Sequence, residues 1–337
     1  MEWSKISAIV PIFNAAETIG NLIKCLLQQT EKHFEVILVD DGSTDDSAAI
    51  CQQTAGQDIR FHYIRQENAG VSAARNLGLR EARGEYITFL DADDVIAPNY
   101  LQELLGACEN ADIAVCDVVV REGETEVKRF SLEPCILAQN EALNALLTRQ
   151  TINSGPCAKL FRREILNSLS FPALKAYEDI LFVKNAFANA QRVAVTNRTE
   201  YVYIQNPHGA MSGFLRAPSL DIVKATEELL AFIVSRKDLS PQTFYITASH
   251  LMQYVQPLIH EPIDNVGFIR SARKLYGKYK MQILRCSAFP WKEKVVYLAF
   301  TYGWILTGKG ARRIRGWCMK MDFHLGTTGR RNSENNM

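Results

Sequence analysis

Two acidic clusters carry most of the potentially reactive oxygen in this sequence. The first is Val39-Asp40-Asp41-Gly42-Ser43-Thr44-Asp45 and the second is Phe89-Leu90-Asp91-Ala92-Asp93-Asp94; each follows an apolar run directly. The first reads equally well as a turn and helix N-cap, with Thr44 or Asp45 capping. The second sets three carboxylates, Asp91, Asp93 and Asp94, within four residues, and their mutual repulsion is costly without a cation. Oxygen ligands of this kind suit a hard divalent ion such as Mn²⁺ or Mg²⁺. Alternate residues of an extended segment project to opposite sides, so Asp91 and Asp93 converge only if the chain turns there. Further on, Glu178-Asp179 opens a helix-like segment. On its own that pair fits the plain preference of acids for a helix N-terminus.

The elements that would position these groups are legible from periodicity. Ile6 to Phe13, Phe34 to Val39, Ile59 to Ile64 and Tyr86 to Leu90 are apolar runs. Between them lie segments of helical spacing: Ala15 to Gln29, Asp45 to Ala55 and Ala69 to Ala82. Strands that alternate with helices predict a Rossmann-like α/β fold, a mostly parallel sheet flanked by helices and joined by right-handed crossovers. In such sheets the ligand crevice lies outside the carboxyl ends of the strands, which is where both acidic clusters fall. Ala111 to Val119 predicts a further strand, and Glu141 to Thr148 and Glu178 to Ala190 predict helices. From Pro218 to about Trp317 the pattern is mostly helical.

Composition narrows the class. With 38 basic against 37 acidic residues the net charge is +1, so no nucleic-acid partner is expected. A length of 337 residues exceeds one small core and predicts a large domain with an appendage. None of the eight cysteines stands in a C-x-x-C pair, and several sit in apolar runs, so buried free thiols in a reducing compartment are expected. The N-terminus enters a strand pattern almost at once with no signal-like apolar region, which predicts a cytoplasmic location.

In order and spacing, VPIFN, VDDGSTDDS, NAGVSAARNLGL, GEYITFLDADD and AYEDILF resemble the family-2 inverting glycosyltransferases of GT-A fold, over roughly residues 5 to 205. The resemblance implies a UDP-sugar donor, with Pro11 and Phe13 at the nucleotide and the Phe13 ring packing on the base. It implies Asp41 as acceptor from the base, Arg75 as a nucleotide-binding arginine, Asp91 at the ribose side and Asp93 as ligand of Mn²⁺ or Mg²⁺. It also implies Asp179 as the general base that takes the acceptor hydroxyl's proton, with Glu178 positioning the site. Lys159-Leu160-Phe161-Arg162-Arg163 resembles the K-L-[FY]-R-[RK] segment of the family and is expected to be architectural. Tyr201-Val202-Tyr203 and Pro207 to Ser212 resemble its tyrosine- and serine-bearing region, without the usual arginine. There His208 is a candidate for the metal or diphosphate.

The division expected is a nucleotide-sugar-binding and catalytic domain over 1–215, a helical C-terminal region over 216–325 and a disordered tail over 326–337. Val295 to Leu306 is apolar but short of the ~20 residues of a span. It is flanked by Lys292, Lys294, Lys309, Arg312, Arg313, Arg315 and Lys320, with Trp291, Trp304 and Trp317 interspersed. Such a segment either binds an anionic membrane face peripherally or packs as a core helix. The first agrees with a saccharide or lipid-linked saccharide acceptor in bacterial surface-polysaccharide synthesis. The other class considered is a non-catalytic nucleotide-sugar-binding subunit, against which the intact Asp93 and Asp179 argue. A nucleotidyltransferase would need a Gly-rich first loop and a dehydrogenase a G-x-G-x-x-G, and neither is present.

Overall fold

The computed structural model describes residues 4–205, 218–258 and 265–302. β1 (Ile6–Ile12) is buried along almost its whole length, as a central strand covered on both faces must be. It pairs in parallel with β2 (Phe34–Asp40) on one side and β4 (Tyr86–Phe89) on the other, and β3 (Phe61–Arg65) adds in parallel to β2. The helices α1 (Ile19–Leu27), α2 (Ser47–Gln57) and α3 (Val71–Glu81) make the crossovers. α3 packs on β1 and β2, and Gly78 permits the approach: a Cβ there would come within 2.3 Å of Ile9 Cγ2.

Beyond β4 the sheet changes character. After β5 (Val95–Ile96) and α4 (Tyr100–Ala107) come β6 (Ile113–Glu122), β7 (Thr125–Phe130), β8 (Cys135–Ala138), α5 (Gln139–Thr148), β9 (Lys159–Arg162), α6 (Glu178–Asn189) and β10 (Arg192–Ile204). Among the described residues ten strands form one sheet, with β3-β2-β1-β4-β9-β6-β10-β5 in order, β7 beside β6 and β8 beside β10. β9 is antiparallel to both β4 and β6 and splices the two halves, while β6 and β10 run parallel. The sheet is therefore mixed α/β with a parallel N-terminal block, flanked by helices. An aromatic cluster gathers at the end of β4: Phe171 stacks on Phe182 at 3.8 Å, and Phe89 meets both edge-on at 5.2 and 5.7 Å.

By contact the described residues divide into two compact units, 4–205 and 218–302. The second is helical in its described part: α7 (Leu220–Ser235), α8 (Pro241–Leu258), α9 (Val266–Lys278), α10 (Lys280–Arg285) and α11 (Trp291–Thr301). Ser219 caps α7 by accepting from Asp221 N at 3.1 Å. In α11, Val296, Tyr297, Ala299 and Phe300 are buried. Tyr276 meets Tyr297 edge-on at 4.9 Å. The described part of the apolar C-terminal stretch thus packs as a core helix, with Trp291 exposed at its start. The continuation from residue 303, including Trp304, Trp317 and most of the flanking cations, lies outside the described residues. No described helix is long and apolar enough to cross a membrane. Seven of the cysteines are described and all are free thiols, four of them buried and Cys135 exposed.

Candidate active site

Three loops leave the carboxyl ends of β1, β2 and β4, and the first two are knitted together. Asn14, held at φ 48°, accepts from Thr44 N at 2.9 Å, and its own N–H donates to Ser43 Oγ at 3.0 Å. Ala15 N donates to Ser47 Oγ and Ala16 N to Asp45 Oδ2. Asp45 also accepts from Ser47 N at 3.0 Å, a side-chain turn that leads into α2, whose N-cap residue is Asp46. The first acidic cluster is thus a turn, and the cap expected of Thr44 or Asp45 falls instead at Asp46, which makes no side-chain cap bond. Phe13 stands 51% exposed at this lip, with Pro11 half-buried beneath it.

Asp40 and Asp41 are both buried structural acceptors here. Asp40 takes hydrogen bonds from Ser43 N, Tyr63 Oη and Arg65 Nη1 at 2.8, 2.7 and 3.0 Å. Burial alone would raise its pKa, but these donors and the Arg65 charge outweigh that and hold it below the ordinary aspartate value. A lowered folded pKa stabilises above the unfolded value and is lost as pH falls through the folded one. Asp40→Asn is therefore expected to cost about 1.5–3 kcal/mol at neutral pH, the worth of hydrogen bonds to a charged acceptor. The deficit shrinks toward acid pH, and urea unfolding along a pH series checks both. Asp41 accepts from Gln66 Nε2, Ala69 N and Gly70 N at 2.7–2.8 Å. It thereby anchors the turn into α3, where Gly42 lies against Asn68.

At the end of β4 the three acids separate into three environments. Arg75, reaching from α3 and almost wholly buried, donates Nη2 to Asp91 Oδ1 at 2.9 Å and Nη1 to Glu178 Oε1 at 3.3 Å. Its guanidinium lies 5.3 Å from the Phe171 ring centroid. Burial works against its charge, but the flanking carboxylates prevail and raise its pKa further. Asp94 is 1% exposed and accepts from Tyr201 Oη at 2.6 Å and Ile204 N at 3.0 Å. Tyr201 Oη in turn accepts from Asp91 N at 3.1 Å, so β10 pins the turn on which Asp91 and Asp93 converge. Desolvation and the Asp91 charge push Asp94 well above the ordinary range. Asp93 differs. It is exposed, and among the described residues its carboxylate has no donor beyond its own backbone N–H. The cleft walls and the Asp91 charge raise its pKa as well. Repulsion among the three acids is thus relieved within the protein at Asp91 and Asp94, and left open at Asp93.

Glu178 and Asp179 open α6 after Tyr177, which is left-handed at φ 66°. Burial and the neighbouring Asp179 push Glu178 up, against the pull of Arg75. Asp179 is half-buried; its Oδ1 accepts from Ile180 N at 2.6 Å. Its Oδ2 faces the 153–158 loop, where a Cβ built on Gly155 would lie 3.9 Å away. Four non-glycine residues among those described have positive φ: Asn14, Arg149, Ala158 and Tyr177.

The structure therefore brings Arg75, Asp91, Glu178 and Asp179 together beside Asp93, with Phe13 and Asp41 at the other lip, while His208 lies outside the described residues. Sequence reasoning set Asp94 among the carboxylates awaiting a cation, whereas the structure seals it against Tyr201 and Ile204, and it gave Tyr201 no role of its own. The third acid of the D-A-D-D run and the tyrosine of Y-V-Y were the available signals. The four carboxylates and one guanidinium can bind a polyphosphate-bearing ligand through a cation and take a proton from a hydroxyl. Among the described residues no group of three or more His, Cys, Asp or Glu forms a metal cage by itself. A hard ion on Asp93 and Asp91 would complete its shell with ligand oxygens, as Mg²⁺ sites commonly do.

Comparison with known proteins agrees with this geometry. Residues 7–170 match the family model described as glycosyl transferase family 2. Glycosyltransferase GlyG of Streptococcus pneumoniae is 32% identical over 213 residues, covering 59% of this chain and 70% of GlyG. A cholesterol galactosyltransferase of Borreliella burgdorferi is 29% identical over 294 residues, covering 83% and 81% of the two chains. In fold, the crystal structure of S. aureus TarS residues 1–349 in complex with UDP-GlcNAc superposes with a TM-score of 0.69 at 21% identity, over 93% of this chain and 90% of that one. With three of the five motifs at the carboxyl ends of β1, β2 and β4, the other two at the starts of α3 and α6, and these relatives matched, the chain belongs to glycosyltransferase family 2.

Proposed function

We propose that the chain transfers a hexosyl or N-acetylhexosaminyl residue from a UDP-sugar to an acceptor hydroxyl with inversion at the anomeric carbon. The observation that carries this reading is the separation of roles among the acids. Arg75 neutralises Asp91 and Glu178, Asp93 is left exposed for a cation, and Asp179 stands beside them with one oxygen toward the 153–158 loop. The TarS structure, which holds UDP-GlcNAc, supports the nucleotide.

Phe13 offers its exposed ring to the uracil, with Pro11 and Asp41 shaping the floor of that lip. Arg75 and Asp91 hold the ribose and diphosphate side. A divalent cation, Mn²⁺ or Mg²⁺, held by Asp93 with Asp91, would neutralise charge on the departing diphosphate when bound. The acceptor oxygen bonds to C1 from the face opposite the nucleotide. The C1–O bond breaks with its electron pair going to UDP, and the hydroxyl proton passes to Asp179. A carboxylate is a weak base, so the proton moves late, once the new bond is forming. Glu178, tied to Arg75, keeps the start of α6 and hence Asp179 in place.

For the acceptor we infer a saccharide or lipid-linked saccharide of surface-polysaccharide synthesis. The cholesterol galactosyltransferase relative, which matches over 83% of this chain, supports a lipid acceptor. The basic, tryptophan-bearing segment beyond residue 302 is the part we assign to peripheral contact with the inner membrane face, from a cytoplasmic location.

The test is UDP release from a panel of UDP-sugars with Mn²⁺ or Mg²⁺, with and without EDTA. Release from one donor that EDTA abolishes is expected. Absence of both release and metal-dependent UDP binding by calorimetry would sink the reading. Because Asp93 is raised, protons compete with the cation. Metal affinity is expected to weaken as pH falls, starting above the ordinary aspartate value near ~4, and titration calorimetry with Mn²⁺ at several pH values reads this directly.

A further inference from the structure

Lys159 is a buried cation to which the chemistry above gives no task. It stands on β9, 1% exposed, and its ammonium donates to the carbonyls of Asn153, Gly155 and Cys157 at 2.8, 2.7 and 3.2 Å. An ammonium has three N–H groups, and all three are used. Three carbonyl dipoles from alternate residues of one short loop converge on a point, an arrangement that repels itself unless a cation occupies the centre. The loop is tightened further where Gly155 N donates to Asn153 Oδ1 at 2.7 Å and where Ala158 turns left-handed at φ 61°. Its outer side lines the reacting groups: Gly155 faces Asp179 Oδ2, and Cys157 lies within electrostatic reach of Arg75 and Asp91.

We propose that Lys159 is a positioning residue for transfer, its ammonium gathering the 153–157 carbonyls so that Gly155 forms a fixed wall against the Asp179 carboxylate where the acceptor hydroxyl gives up its proton. The proposal rests on the reading of Asp179 as the base. A single tetrahedral ammonium meets all three carbonyls, and a guanidinium at the same place keeps the charge while presenting its donors in a fork.

The groups that face the ammonium are Cys157 of the loop, Cys116 of β6 and Asp179 of α6. Both thiols are held neutral, their pKa values pushed up by burial. Burial of Lys159 outweighs the Asp179 attraction and lowers the ammonium to about 8. On losing its proton the amine keeps two N–H groups and turns a lone pair toward the third carbonyl, and the wall loosens. Turnover then falls on the alkaline side near pH 8 while donor binding does not.

The experiment compares full-length wild type, Lys159→Met, Lys159→Arg and Asp179→Asn. It reads UDP affinity by calorimetry and kcat for UDP release from the active donor, from neutral to alkaline pH. The Met variant is expected to bind UDP as wild type does and to lose kcat by about 10–100-fold, the scale of an ångström-level misplacement, with no alkaline limb left. The Arg variant keeps its charge and is expected to move that limb upward. A Met variant with wild-type kcat and an unmoved limb overturns the proposal. Should Met prevent folding, an Arg variant whose limb stays near pH 8 overturns it equally. Turnover that survives Asp179→Asn would instead overturn the assignment of the base, and leave the lysine nothing to position.

Discussion

Replacing Asp179 by asparagine is expected to lower kcat by about 10²–10⁴-fold, the usual worth of a positioned general base. The amide oxygen still accepts from Ile180 N, a 2.6 Å bond in the wild type, so the start of α6 keeps its geometry. An amide cannot take the acceptor's proton, and the late transfer then falls to water. Neither the Phe13 lip nor the Arg75–Asp91 pair is touched, so UDP affinity is unchanged. The discriminating result is therefore a split: calorimetry with UDP and Mn²⁺ matches wild type while UDP release collapses. A variant that turns over normally would remove Asp179 from the reaction.

The second large effect is on Arg75→Met, and it strikes folding and binding together. Arg75 spans 103 positions of sequence to hold Glu178, whose side chain is 12% exposed. Removing one partner of such a buried pair costs about 3–5 kcal/mol, because the other charge is left without compensation. Asp91, nearly one third exposed, adds less. Glu178 is already raised with the arginine present, and without it the carboxyl rises further. The folded state then binds protons that the unfolded state does not, so the deficit shrinks as pH falls. Urea unfolding of wild type and variant at neutral and mildly acid pH tests this, and a deficit independent of pH would refute the pairing as its source. UDP affinity falls in the same variant, since Asp91 loses the group that orients it.

How much of this was legible in the chain follows from the range of the interactions. β1 to β4 and their crossover helices were readable because buried parallel strands are continuous apolar runs and α1 repeats its apolar positions at helical spacing. β9 was not. Lys159, Leu160, Phe161 and Arg162 have charged ends and only four residues, and they are a strand because β4 and β6 flank them. β7 and β8 are short edge pieces, with Cys135 and Ile136 exposed, and carry no periodic signature. At the site, the strand-end rule placed Asp41, Asp91 and Asp93 correctly at the sheet's carboxyl edge. It could not foresee that Asp41 would be engaged by Gln66, Ala69 and Gly70, or that Asp94 would be sealed by Tyr201. Nor could it show that a lysine in a motif expected to be architectural would gather three carbonyls beside Asp179. Those are contacts across tens of residues, invisible to local pattern.

The splice at β9 also has a meaning for how the chain is made. β4 and β6 never touch as strands; residues 159–162 bridge them, pairing Ile87 and Ile113 through the same Phe161. During vectorial synthesis the parallel block β3-β2-β1-β4 is complete by Phe89, but its growing side has no neighbour until more than sixty further residues have emerged. Until then the nascent chain presents two open, apolar edges, β4 and β6, of the kind that recruits foreign strands. The ribosome thus releases a half-sheet that must wait for its keystone, and Tyr86 and Ile87 spend that interval as the exposed seam.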